Sequence, residues 1–345
     1  MPDSPPGLDL QALQRFLDAD CPGLVSGKLS AELIVGGKSN LTYVVAGGGR
    51  EVVVRRPPLG HVLATAHDMT REHRVMAALA DTAVPVPRMY AACTDDTVIG
   101  APFYVMERVA GTPYRSADQL NLLGSQRVRA IADAVTDTLV ALHAVDPAEV
   151  GLSDFGRPEG YLERQVHRWR QQMTASKSRE LAGEDELHRR LAAAIPASGA
   201  PTIVHGDYRM DNTLIDDSDR VSAVLDWEMA TLGDPLADVA LMLVYQALAD
   251  VAPTAVSTVS RANGHPSRDE IVQRYSARSG RDVSHLAFHE ALAYYKLAAI
   301  LEGIYFRHLR GQTVGAGFED IGAATEPLLA AGLAVIHNYG NMSKG

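Results

Sequence analysis

The stretch IVHGDYRMDNTLIDDSDRVSAVLDWE, residues 203–228, constrains this chain more than any other part of it. Thr213 to Ile215 and Val221 to Leu225 are apolar strand segments joined by the acidic turn DDSDR, which predicts a hairpin. Asn212 stands just before the first strand and Asp226 just after the second. Closing the hairpin therefore sets an amide oxygen beside a carboxylate, the hard oxygen pair that Mg²⁺ prefers. Asp207, five residues ahead of Asn212, hangs from the loop entering the same corner. One carboxylate to orient a hydroxyl and two oxygen ligands for a metal-bound triphosphate are what phosphoryl transfer requires. Any one of these residues alone reads more readily as a turn or cap residue. Three at the mouth of one hairpin, behind His205 and Gly206, point to a catalytic loop.

The rest of the chain sorts into a β-rich part and a helical part. Residues 9 to 20 read as a short amphipathic helix capped by Asp9. Strand patterns follow at Leu33 to Val35, Leu41 to Ala46 and Glu51 to Arg56, then a helical pattern over Asp68 to Ala80, then strands around Pro87 to Ala92 and Phe103 to Glu107. RVAGTPYR breaks the periodicity with Gly111 and Pro113 and reads as a linker. Beyond it come helical patterns at Gln126 to Ala144, Tyr161 to Met173, Asp185 to Ala194 and several after Pro235, with the sole β interruption between Thr202 and Asp226. In MATLGDPLADVA, Asp234 stands at an N-cap, Pro235 at the first helical position and Asp238 a turn later, so both carboxylates are expected to support the metal loop. At 345 residues the chain suits two compact units around one cleft.

Composition removes several classes. With 42 acidic against 32 basic residues, a net charge of -10 argues against nucleic acid or an anionic membrane as partner. The beginning, MPDSPPGLDLQ, lacks the pattern of a signal peptide, and the longest apolar run is too short to span a bilayer. Cys21 and Cys93 lie far apart, outside any metal spacing, and fit a reducing, cytoplasmic setting without disulfides.

GGKSN, residues 36–40, has the letters of a P-loop tail, but the spacing refuses that reading. The first glycine of a P-loop would fall on Glu32, and Leu41 to Val45 read as strand where a P-loop needs a helix. What remains is strand, glycine-rich turn, strand.

HGDYRMDN followed by LDWE resembles the catalytic and metal loops of the aminoglycoside phosphotransferase and choline kinase superfamily, the small-molecule branch of the protein-kinase-like fold. The resemblance runs from about residue 30 to 335 and implies an α+β, bilobal architecture. Residues 1–29 would be an N-terminal helix and extension, 30–107 a β-rich N-lobe, 108–113 a hinge, and 114–345 a larger helical C-lobe carrying the catalytic and metal loops. It further implies Asp207 as catalytic base, Asn212 and Asp226 as Mg²⁺ ligands, and His205 as the brace of the loop. The Asp-Trp-Glu metal motif leaves open whether Glu228 adds a contact.

In such a fold GGKSN covers the triphosphate of ATP, making Ser39 and Asn40 candidate phosphate contacts. Period two along EVVVRR puts Val53 and Arg55 on one face and Val54 and Arg56 on the other. By resemblance Arg55 replaces the ATP-positioning Lys, Glu72 is its partner, and Val53 lines the base pocket. Backbone groups around Glu107 to Val109 are expected at the adenine edge.

Only eight positions separate Asp226 from Asp234, too few for a polypeptide-docking segment, so the acceptor is expected to be a small molecule. The helix YLERQVHRWRQQM sets Arg164 and Arg168 a turn apart around Trp169, readable equally as a solvated face with a packed Trp or as an anion-binding surface. This stretch, with RRPPLG and LHAVDPAEVGL, is also similar to the kinase-like domains that accompany acyl-CoA dehydrogenases, which implies a hydroxyacid or hydroxyacyl-CoA acceptor. An aminoglycoside acceptor and a nucleotide-binding pseudokinase are the alternatives.

Overall fold

The structure, a computed structural model, describes residues 4–34, 40–59, 68–251, 257–312 and 320–342. Its contacts divide the chain into two compact units, Met1–Thr112 with Ser222–Ala230, and Pro113–Val221 with Thr231–Gly345.

The first unit opens with α1 (Leu10–Asp20), whose N-cap Asp9 accepts from the Gln11 and Ala12 amides at 2.9 and 3.0 Å. Five strands follow: β1 (Ser30–Leu33), β2 (Leu41–Gly47), β3 (Arg50–Arg56), then, after α2 (Met69–Leu79), β4 (Met89–Cys93) and β5 (Phe103–Glu107). They form one antiparallel sheet in the order β1-β2-β3-β5-β4. Strand alternation divides its side chains. Tyr43, Val45, Val52, Val54, Phe103 and Val105 join Leu10, Leu13 and Leu17 of α1 in one core. The opposite face meets α2, which packs on β4 and β5 and buries Val75, Met76 and Leu79. Thus the expected N-terminal helix, together with Leu8, Val25 and Leu29, supplies part of this unit's core.

Two strands begin two or more residues away from the expected position. β1 lies at Ser30–Leu33, because those residues pair with Ala46 to Tyr43 of β2; Val35 falls outside the described residues. β4 begins at Met89 rather than Pro87, since proline has no N–H to give a ladder.

The second unit contains α3 (Ala117–Asn121), α4 (Ser125–Ala144), α5 (Tyr161–Ser176), α6 (Glu184–Ala193), β6 (Thr202–Val204), β7 (Thr213–Ile215) and the start of β8 (Val221–Val224). After the return of the chain come β9 (Thr231–Gly233), α7 (Leu236–Val251), α8 (Arg268–Ser279), α9 (Leu286–Leu309) and α10 (Thr325–Met342). The long α9 is buried along most of its length and packs against α5, α7 and α10. In α4, Val128, Ile131, Val135, Leu139 and Leu142 recur every three or four residues and are all buried. β7 and β8 form the expected hairpin. The β structure nonetheless extends past Asp226, contrary to expectation: β9 pairs antiparallel with β6 from Thr202↔Gly233 to Val204↔Thr231. No helix among the described residues is long and apolar enough to cross a membrane, and Cys21 and Cys93 are both free thiols.

The segment Ser222–Ala230, carrying Asp226, is tied into the first unit by hydrogen bonds at both ends. Ser222 Oγ donates to Ala110 O at 2.8 Å, the Val224 amide to Pro85 O at 2.8 Å, and the Arg71 guanidinium to Ala230 O at 3.0 Å.

Candidate active site

In the first unit a cluster of charge forms around Arg55. The β3 register puts Val53 opposite Met106 and Arg55 opposite Tyr104, on the face turned to α2. Arg55 Nε lies 3.2 Å from Glu72 Oε2, and its Nη2 is paired with Asp226 Oδ1. Glu72 is only 1% exposed and accepts a 2.9 Å hydrogen bond from Tyr104 Oη, so it is not the solvated residue its helix position would allow. Burial works against the Arg55 charge, but Tyr104, Glu72, Asp226 and Glu228 overcome it and hold its pKa above the usual arginine value. For Glu72 burial outweighs the pull of Arg55 and pushes the carboxyl up. Arg56, on the other face, donates to the carbonyls of Gly7, Pro57 and Ile99. Asp226 itself sits at φ +67°, a left-handed conformation that Asp tolerates better than most residues, and opens the turn Trp227–Met229.

Asn40 is directed differently from expectation. Rather than standing open to phosphates, its Nδ2 donates to Glu72 Oε1 at 3.3 Å and Glu228 Oε2 at 3.2 Å. An amide donor between two carboxylates screens their repulsion, which also accounts for Glu228: it closes this cluster. Ser39 lies outside the described residues.

In the second unit Asp207 is fixed through both of its carboxylate oxygens. Tyr245 Oη donates to Oδ1 at 2.9 Å, and Asn212 Nδ2 donates to Oδ2 at 3.1 Å and to the Asp207 carbonyl at 2.9 Å. Arg209 Nε stands 3.6 Å from Oδ2, and its guanidinium lies over the Tyr245 ring at 4.8 Å. Burial and the neighbouring Asp207 charge push the Tyr245 phenol well above its ordinary value, so it serves as donor. The loop backbone is equally constrained. His205 is fully buried, and its Nδ1 accepts from the Asp207 amide at 3.3 Å. Asp238, on the first turn of α7, accepts from the His205 and Gly206 amides at 2.7 Å each and faces His143 Nε2 at 3.4 Å.

Asp238 therefore holds the backbone of the loop that carries Asp207, rather than the segment after Asp226 that it was expected to support. Burial alone would raise its pKa, yet the His143 contact, His205 and the Gly206 amide hold it below the usual carboxylate range. Asp234 caps α7 through the Leu236 amide at 3.0 Å.

At the expected hinge, the Glu107 amide is already spent on Arg88 O at 2.8 Å, and its side chain accepts from the Arg88 amide at 3.2 Å. Val109, partly exposed, follows the end of β5. On α5 the two arginines part company. Arg164, read either as part of a solvated face or as part of an anion-binding surface, turns back to the carbonyls of Arg157 and Glu159 and holds the turn that starts its own helix. Arg168 lies over the Trp169 ring at 5.3 Å.

The sequence model of the phosphotransferase enzyme family, APH, matches residues 30–282. This chain belongs to that family. Among curated relatives, it is 34% identical over 326 residues to acyl-CoA dehydrogenase family member 10 of Mus musculus, covering 92% of this chain and 30% of that protein. To acyl-CoA dehydrogenase family member 11 of Gallus gallus it is 34% identical over 340 residues, covering 94% of this chain and 43% of that one. The phosphotransferase chain thus spans less than half the length of these relatives. Among solved structures, a candidate aminoglycoside phosphotransferase from Ralstonia eutropha JMP134 is similar at TM-score 0.82 and 34% identity, with 96% of this chain and 98% of that one covered. Aminoglycoside phosphotransferase APH(4)-Ia, solved with AMP-PNP and hygromycin B, shares the fold at TM-score 0.62 and 16% identity, over 94% and 98% of the two chains.

Asp226, in the first unit, has a partly exposed carboxylate, and Asn212, in the second, is committed through Nδ2 to Asp207; each side chain carries an oxygen of the kind that Mg²⁺ takes. Among the described residues no group of three or more His, Cys, Asp and Glu side chains is assembled to hold a metal. Sequence reasoning missed Tyr245, Arg209 and Lys296. Arg209 stands inside HGDYRMDN, two residues after Asp207, where its charge is a local signal; the other two lie on helices 38 and 89 positions beyond Asp207.

Proposed function

We propose that this chain is an ATP-dependent phosphotransferase that transfers the γ-phosphoryl group to a hydroxyl of a small anionic metabolite, of the hydroxyacid or hydroxyacyl-CoA type. Membership of the family supports the reaction class. The observation that carries the reading is the anchoring of Asp207 through both oxygens on a loop whose backbone Asp238 holds. A carboxylate fixed in this way can receive a hydroxyl in one orientation, and positioning supplies most of the catalysis in phosphoryl transfer.

The acceptor hydroxyl donates to Asp207, its oxygen attacks the γ-phosphorus, the bond from that phosphorus to the β–γ bridging oxygen breaks, and the proton passes to Asp207 as ADP leaves. Arg55, kept charged by its carboxylate neighbours, holds nucleotide phosphates, and Val53 lines the base pocket with Glu107 and Val109 at its edge. Asn212 and Asp226 would hold Mg²⁺. When bound, the ion supplies neutralisation of the charge on the phosphate oxygens.

The acyl-CoA dehydrogenase names of the curated relatives support an acyl-type acceptor. An aminoglycoside acceptor rests on the name of the Ralstonia relative and predicts raised drug tolerance on expression. The test of the main reading is Asp207→Ala. Acceptor-stimulated ADP release should fall about 10³-fold while nucleotide binding persists; turnover at the wild-type rate would reject the mechanism.

A further inference from the structure

Helix α9 delivers a cation to the catalytic loop that the mechanism above does not use. Lys296 Nζ donates to Gly206 O at 2.7 Å, one residue before Asp207, and lies 5.5 Å from the centre of the Trp169 ring. Arg168 covers the same indole. Trp169 is itself buried, with Nε1 donating to Gln165 Oε1 at 3.2 Å, so the platform is fixed. Neither cation forms an ion pair with a described residue, unlike Arg170 on the same helix, which is paired with Glu184 and Asp185.

An ammonium has three donors, and one carbonyl takes only one of them. An aromatic face stabilises a cation but does not neutralise it. Loss of water is the leading influence on Lys296 and lowers its pKa, with the charges of Asp207 and Asp238 opposing. Lys296 therefore keeps two N–H donors and a partly dehydrated charge that an oxyanion would satisfy, with the exposed Arg168 on the same indole.

We propose that Lys296 and Arg168, both stacked on Trp169, form the subsite that holds an oxyanion of the acceptor, a carboxylate or a phosphate, and so directs its hydroxyl to Asp207. The proposal rests on the phosphotransferase reading for what the subsite is used for, and on these side chains alone for what it binds. The same two charges would repel a polycationic acceptor.

The test reads binding without turnover. Emission from Trp169, one of two tryptophans in the chain, is followed while wild type, Lys296→Met and Arg168→Gln are titrated with 3-hydroxybutyrate, its methyl ester and 3-hydroxybutyryl-CoA. Wild type should show saturable binding of an oxyanion probe but not of the ester, and each variant should weaken it about tenfold or more. Saturation by free 3-hydroxybutyrate identifies a carboxylate as the bound group; saturation by the CoA thioester alone identifies a phosphate. Equal affinity in wild type and both variants, or no saturable binding in wild type, overturns the proposal. Arg168 is exposed, so its variant keeps the test decisive if Lys296→Met disturbs the loop. ADP release is measured separately: wild type that binds the oxyanion but turns over no hydroxyl acceptor would sink the phosphotransferase reading and leave the subsite standing.

Discussion

In the first unit a guanidinium is held by carboxylates; in the second a carboxylate is held chiefly by an amide and a phenol. Arg55 meets Glu72 and Asp226, with Glu228 contributing through the same cluster, and the group is largely shut away from water. Asp207 receives Tyr245 and Asn212, and Arg209 stands off at 3.6 Å. Burying opposite charges together is expensive, and the expense is recovered only while every partner is present. Removing a partly exposed carboxylate whose direct hydrogen bonds come from neutral donors leaves only the part-exposed Arg209 and the more distant Lys296 short of its charge, a smaller loss. Loss of a partner from the first cluster should therefore cost more stability than loss of Asp207 from the second.

The largest effect expected from this contrast is at Glu72. Glu72→Ala leaves Arg55 without its most buried counter-charge and should lower the unfolding free energy by about 3–5 kcal/mol, read from urea denaturation. Asp207→Ala should change the same quantity by less than about 1 kcal/mol. Equal losses in the two variants would break the comparison.

Next in size is Asp238→Asn, which removes the charge, keeps only one of the two oxygens that accept the His205 and Gly206 amides, sets an NH2 donor against the other amide, and should cost about 2–3 kcal/mol at neutral pH. Its pH dependence has a definite sign. The folded state holds this carboxyl below its ordinary 3.8, so in that window the unfolded chain binds more protons and stability falls as the pH falls. The contribution is complete above the ordinary Asp range and is lost on acidification through the lower, folded value. The gap between wild type and Asp238→Asn should accordingly narrow below pH 3.8 in acid-unfolding curves. A constant gap would mean that Asp238 acts through shape rather than charge.

The parts legible in the sequence were those with a local signal. Period two in EVVVRR separated Arg55 from Arg56, and the structure turns the two to opposite faces, one to Glu72 and the other to backbone carbonyls. Asp9 and Asp68 mark helix starts because N-caps are local chemistry. Even α3, which no apolar period announced, carries a capping box between Ser116 and Gln119 that could have been read. The misses have no such signal. β9 is three residues long, too short to alternate, and exists because β6 is there to pair with it. Arg164 and Arg168 share a helical face, yet spacing does not say that one will bend back to Arg157 O while the other lies on Trp169. Tyr245 stands in LMLVYQAL, where an aromatic residue reads as core. Only the tertiary fold brings its hydroxyl to Asp207.

That hydroxyl gives the smallest and sharpest of the tests. Tyr245→Phe keeps the ring under Arg209 and deletes a single 2.9 Å hydrogen bond, so stability should change by about 1 kcal/mol or less. If Tyr245 positions Asp207, freeing Oδ1 lets the carboxylate rotate, and kcat should fall about tenfold while the KM of the acceptor stays nearly constant. A purely structural tyrosine would instead leave kcat unchanged or move KM with it. Because the phenol is held well above its ordinary value, it keeps its proton on the alkaline side, and no alkaline loss of wild-type activity should disappear in the variant. An unchanged kcat would show that Asn212 alone suffices to orient the carboxylate, and the contrast between the two clusters would then rest on one donor rather than two.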